Sequence, residues 1–245
     1  MKKLRLTKTM LDSLDPSHMA MDIRLDDPRA GLALSFALST VESYLAEAAV
    51  QQRRIVREQR AIRTYLQTMR LEGAGNWQNR RRHHRPNRLR SVHFYLTCWR
   101  MIDRHLDLVS RTSGLAEVKA ALRPRRHTLG QYRQMRDHYE HIDERLPGRR
   151  GVRRMAVPSD LGNFIGYTLS FGGERVDIGP NSLLLLKRIV NEILTGFKLG
   201  AIRTVSVTNP RVVQGWFAPL RLKYLNRYIK RQMTKTAVAQ RKPKA

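Results

Sequence analysis

Apolar residues recur along most of this chain at intervals of three and four rather than two, which predicts helices. Asp27-Pro28 reads as an N-cap followed by a first-turn proline. After it, Ala33, Phe36, Ala37, Val41, Tyr44 and Leu45 mark one face. The pattern continues through QQRRIVREQRAIRTYLQTMRL with Ile55, Ile62, Leu66 and Met69, which predicts one helix of about forty residues. Paired glycines, a proline and an arginine cluster in EGAGNWQNRRRHHRPN predict a basic loop over residues 72–87. A second long helix is expected over residues 88–111, on the stripe Leu89, Val92, Leu96, Trp99, Ile102, Leu106 and Val109. GLAEVKAALRP predicts a short helix that stops at Pro124.

RQMRDHYEHIDERLPG lies on a third helix, started by the capping-box pair Thr128 and Gln131 and ended by Pro147-Gly148. Leu129, Tyr132, Met135, Tyr139, Ile142 and Leu146 form its inward stripe, so every charged residue between them faces elsewhere. The texture then changes. YTLSFGGERVDIG alternates apolar and polar residues about Gly172-Gly173 and predicts a small β-hairpin with turn glycines. Pro180-Asn181-Ser182 opens a helix carrying Leu183, Leu186, Ile189, Val190, Ile193, Leu194 and Phe197. No acid follows Glu192, and a basic helix over about Pro219 to Met233 leads into a polar tail. The fold class is therefore mainly α, a helical bundle with a small β-hairpin and a basic C-terminal helical extension. The domain layout is a flexible segment over 1–27, a helical domain over 28–198 and the extension over 199–245.

Charge changes the picture. In 245 residues, 47 Lys and Arg stand against 20 Asp and Glu, a formal net charge of +27. Self-repulsion of that size opposes compaction and attracts polyanions, so nucleic acid is the expected partner, ahead of an anionic membrane surface. The one cysteine, Cys98, sits among Leu96, Trp99 and Ile102 and reads as a buried structural thiol, which excludes an internal disulfide. No apolar core follows the basic start of the chain, and AGLALSFALSTV is too short to span a bilayer. The expected location is the cytoplasm, without integral membrane association.

Candidate chemistry gathers on the third helix. Asp137 and His141 are four residues apart and share a face, and a long guanidinium at Arg136 reaches the same edge. RNA cleavage needs proton transfers, which histidine supplies near neutral pH, and a bidentate cation for phosphate, which arginine supplies. An aspartate one turn away would fix the imidazole tautomer. The alternatives are an ordinary solvated face and, with His138 added to Asp137 and His141, a metal site. No metal and no cofactor is expected, because nothing marks further ligands.

RDHYEHIDERL, with Arg136, Asp137 and then His141 five residues after the arginine, resembles the signature of the HEPN superfamily. LGNFIGYTLSFGGERVDIGPNSLLLLKRIVNEIL resembles a later block of bacterial HEPN-like proteins, and the likeness spans roughly residues 28–198. The resemblance implies a helical bundle, a homodimer formed through the motif helix, and metal-independent ribonuclease action by Arg136 and His141 in a composite cleft. Toxin or defence roles, with a cognate antitoxin, belong to the same expectation. Two positions depart from the family pattern: Asp143 replaces the tyrosine of toxins silenced by nucleotidylation, and Asp137 stands where asparagine is common.

Two basic segments are candidate RNA contacts: Arg80, Arg81, Arg82 and Arg85 before the second helix, and Arg149, Arg150, Arg153 and Arg154 after the third. RNA is expected before DNA. A non-catalytic nucleic-acid-binding protein and an interaction protein for an acidic partner are the competing functions.

Overall fold

A computed structural model describes residues 8–24, 26–72, 77–140, 163–171 and 174–218, with 8, 69–72, 77–89, 163–165 and 171 described through their backbone alone. Among the described residues, eight α-helices run in chain order: α1 Lys8–Asp12, α2 Pro16–Ile23, α3 Pro28–Glu72, α4 Trp77–Ser113, α5 Ala116–Leu122, α6 Arg126–Glu140, α7 Pro180–Thr208 and α8 Pro210–Phe217. Three short strands among the described residues, β1 Asn163–Ile165, β2 Thr168–Phe171 and β3 Glu174–Asp177, form an antiparallel sheet in that order. The fold is mainly α with a small antiparallel sheet, as the periodicity predicts. Among the described residues no helix is long and apolar enough to cross a membrane.

The described chain divides into two compact units. The first takes residues up to Ser39, His105–Pro124 and the chain from Val190; the second takes Thr40–Arg104 and Arg125–Ile189. The boundaries fall within α3, α4 and α7, not at the expected junctions 27/28 and 198/199. Of the segment expected to be flexible, residues 8–23 carry α1 and α2 and bury Leu11, Leu14, Met19 and Ala20. These helices are too short to show a period, although Asp15 caps α2 through the Ser17 amide at 2.8 Å, with Pro16 behind it. Past residue 198, α7 continues to Thr208 and α8 buries Val213 and Phe217.

α3 is one helix of 45 residues, capped by Asp27, whose carboxylate accepts from the Ala30 amide at 3.1 Å. Its buried face in the first unit is Leu34, Ala37 and Leu38, whereas Phe36 is 67% exposed. Of the predicted face, Ala37 and Val41 are buried but Ala33 and Phe36 are exposed, because AGLALSFALS is apolar at most positions and does not define a phase.

α4 begins at Trp77, so the arginine cluster expected in a loop lies on a helix. The glycines at 73 and 75 precede it, and arginine and glutamine are good helix formers. Pro86 removes one backbone hydrogen bond without ending the helix.

Within the second unit, α4 buries Val92, Tyr95, Leu96, Trp99 and Ile102, and α6 buries Leu129, Tyr132 and Met135. Each such side chain contributes about 1.5–3 kcal/mol of burial. α6 packs against β2 and β3. Its Tyr132 hydroxyl donates to the Asp177 carbonyl at 2.7 Å. Just beyond, the Gly179 amide donates to the Asp177 carboxylate at 2.8 Å, and Ser182 Oγ donates to the Gly179 carbonyl at 2.7 Å. The Tyr95 hydroxyl, 2.7 Å from Ser182 Oγ, is then the donor of that pair, because the serine has spent its only proton. A Cβ on Gly179 would sit 2.8 Å from the Tyr167 ring, so this corner admits only glycine. The sheet is thereby fixed against α6, which carries the candidate site.

Candidate nucleic-acid interface

The helical period puts Leu129, Tyr132 and Met135 of α6 inward and leaves Arg133, Arg136, Asp137 and Glu140 along one edge. Those four do not stand as separate charges. The Asp137 carboxylate accepts from Arg100 of α4 and, at 3.4 Å, from Nη1 of Arg136. The other arm of Arg136 pairs with Glu140, four residues on. One turn back, Arg133 holds the Asp103 carboxylate at 3.1 Å, and that carboxylate is nearly buried. The result is a ladder of alternating charges between α4 and α6.

The predicted site residues fare differently. Arg136 and Asp137 are brought together, with Arg136 only 19% exposed and clamped between two carboxylates. Asp137, expected to orient His141, contacts Arg100 and Arg136. His141 lies outside the described residues, as do Arg149, Arg150, Arg153, Arg154, Pro147-Gly148 and Gly172-Gly173. Arg80, Arg81, Arg82 and Arg85 are placed on the backbone of α4, while their side chains are outside the description. Arg100 and Glu140 went unanticipated. Glu140 was findable, since Arg136 and Glu140 form an i, i+4 pair; the reach of Arg100 across 37 positions left no local signal.

A cleft of about 410 Å³ opens beside this edge, lined among others by Arg126, His127, Arg133, Asp137, His138 and Glu174. His138 is 3% exposed, on the inward side of the same helix. Among the described residues, no three His, Cys, Asp or Glu side chains converge on a point that would hold a metal ion.

Several acids lie against arginines: Asp103 with Arg133, Asp107 with Arg111, Glu117 with Arg203, and Asp137 with Arg100. Pairing of this kind consumes the minority charge, so the outward field is set by the cationic excess. Tyr139 adds a neutral group at the same edge; burial pushes its phenol up to about 12. Its ring lies 5.8 Å from that of His93 on α4.

No protein family, no curated protein and no solved structure matches this chain.

Proposed function

We propose that this chain is an RNA-binding protein of toxin or defence type. The observation that carries the binding reading is the excess of 27 positive charges, with acids at the α4–α6 edge bound to arginines. RNA rather than DNA rests on the resemblance of RDHYEHIDERL to the HEPN signature. The same resemblance supports a finer reading, a metal-independent endoribonuclease acting as a homodimer. Arg136 would steady the phosphate, and His141 would move protons as the 2′-hydroxyl attacks phosphorus and the 5′-oxygen leaves. A guanidinium already held by Asp137 and Glu140 is ordered before RNA arrives, which favours positioning of a phosphate over long-range capture.

The test is incubation of a labelled RNA pool in EDTA with wild type and His141→Ala, followed by identification of product ends. Cleavage by wild type alone, leaving a 2′,3′-cyclic phosphate, supports the nuclease. Equal binding without cleavage leaves a non-catalytic RNA-binding protein. Failure to bind RNA at low salt overturns the RNA reading and leaves an acidic protein partner, such as an antitoxin, as the polyanion. Sedimentation at moderate salt across a range of concentrations decides the homodimer.

A further inference from the structure

Phe94 is a large side chain of α4 that packing of the core does not explain. It is 52% exposed, while Val92, Tyr95, Leu96, Cys98 and Trp99 around it are buried. Nevertheless it is held: its ring meets His93 edge-on, centroids 5.5 Å apart and planes at 69°. His93 is in turn backed by Tyr139 of α6.

The surroundings of that ring are cationic. Arg90 stands four residues before Phe94 and Arg104 ten after, about 6 and 15 Å away along the axis. Both fall on the same flank, about 40° and 80° round the helix from the ring. Both are exposed, and neither makes an ion pair or side-chain hydrogen bond among the described residues. Arg100, whose partner is Asp137, lies further round in the same sense. From Gly73 to Arg104 the only acid is Asp103, which is buried under Arg133.

An exposed ring suits either an apolar pocket on a protein or the face of a nucleic base. Two unpaired guanidiniums on one flank make an apolar protein pocket a poor match and a polyanionic strand a good one. We propose that Phe94 is a base-stacking platform for single-stranded RNA, with Arg90 and Arg104 binding phosphates of the strand as it runs along the flank facing α6. This assignment rests on the RNA-binding reading and names the groups that carry it. Stacking on an aromatic side chain tolerates any base, so little sequence preference is expected here. A duplex covers its base faces with neighbouring pairs and would not use the platform.

Fluorescence anisotropy of the full chain with a labelled oligouridylate, and with a duplex RNA as control, tests it. Phe94→Ala should weaken oligouridylate binding about 5- to 150-fold and leave duplex binding and thermal melting unchanged. Phe94→Trp should retain binding. Arg90→Ala with Arg104→Ala should weaken binding and lower the slope of log affinity against log salt by about 1.4, two phosphates' worth. Unchanged oligouridylate affinity in Phe94→Ala, or equal losses for oligouridylate and duplex, overturns the platform while the RNA reading stands. No binding by wild type overturns both.

Discussion

The rings of Trp99 and Tyr132 lie face to face, centroids 3.6 Å apart and planes 5° from parallel, which locks α4 to α6 at the centre of the second unit. Both are nearly or fully buried. Tyr132 then passes the constraint onward through its hydrogen bond to the Asp177 carbonyl. Tyr132→Phe keeps the stack and removes that bond, so it should cost about 1 kcal/mol. Trp99→Ala removes the stack and leaves a cavity, at about 3–5 kcal/mol. Urea unfolding of both variants and their double mutant checks the figures. The double mutant should fall short of the sum, because the two residues are in contact.

How much of this was legible follows from which interactions are local. The third predicted helix put Leu129, Tyr132 and Met135 inward, and they are inward, because a single charged stretch with one apolar stripe fixes its own phase. Phe36 was assigned inward and is exposed, because Leu32, Ala33, Leu34, Ala37 and Leu38 around it are apolar too and the stretch does not define a phase. The hairpin strands β2 and β3 follow from alternation, but β1 is three residues long and carries no readable period. Within the site, Arg136 and Asp137 were found by spacing to a histidine. What holds them, Arg100, comes from another helix, and only folding brings it there. Phe94 was passed over because an exposed aromatic and a core aromatic look alike in a sequence.

The first unit offers a contrast between two glycines. A Cβ on Gly196 of α7 would stand 3.0 Å from the Glu117 carbonyl oxygen, which belongs to the backbone of α5 and cannot turn aside. Gly196→Ala should therefore destabilise by about 1–3 kcal/mol. Gly215 lies in α8 with no described residue within 4 Å of its Cβ position. Gly215→Ala should stabilise by about 0.5–1 kcal/mol, since alanine restricts the unfolded chain and clashes with none of the described residues. Thermal melting of the two variants should move in opposite directions.

Burial pushes the Cys98 thiol up from 9.0 to about 12, with Glu47 acting in the same direction. Between those values the unfolded chain loses the thiol proton and the folded chain keeps it, so folding binds more protons and stability falls as pH rises. The contribution is complete below pH 9.0 and lost on approaching 12. Its steepest slope is about 1.4 kcal/mol per pH unit. Tyr95 behaves alike from 10.0 to about 12, again through burial. Cys98→Ala should remove the earlier onset and leave the later one, as read by urea unfolding across the window. In the native protein at neutral pH the thiol should resist alkylation until denaturant is added.

Asp137 is half-exposed and holds two arginines, so its two roles can be separated. Asp137→Asn keeps the shape and removes the charge. Stability should drop by about 1 kcal/mol or less, the usual worth of exposed pairs. RNA affinity should rise about two- to fivefold at low salt, because a carboxylate no longer repels phosphate and Arg100 becomes available to it. The gain should shrink as salt screens it. Where the wild type cleaves RNA, Asp137→Asn should cleave it more slowly, since Arg136 loses one of the two carboxylates that fix it. Arg100→Gln provides the comparison: it breaks the same α4–α6 link but leaves Arg136 between Asp137 and Glu140. That variant should bind RNA slightly more weakly and cleave as before. Tighter binding by Arg100→Gln, or weaker binding by Asp137→Asn, would show that the ladder shapes the surface and does not meet phosphate.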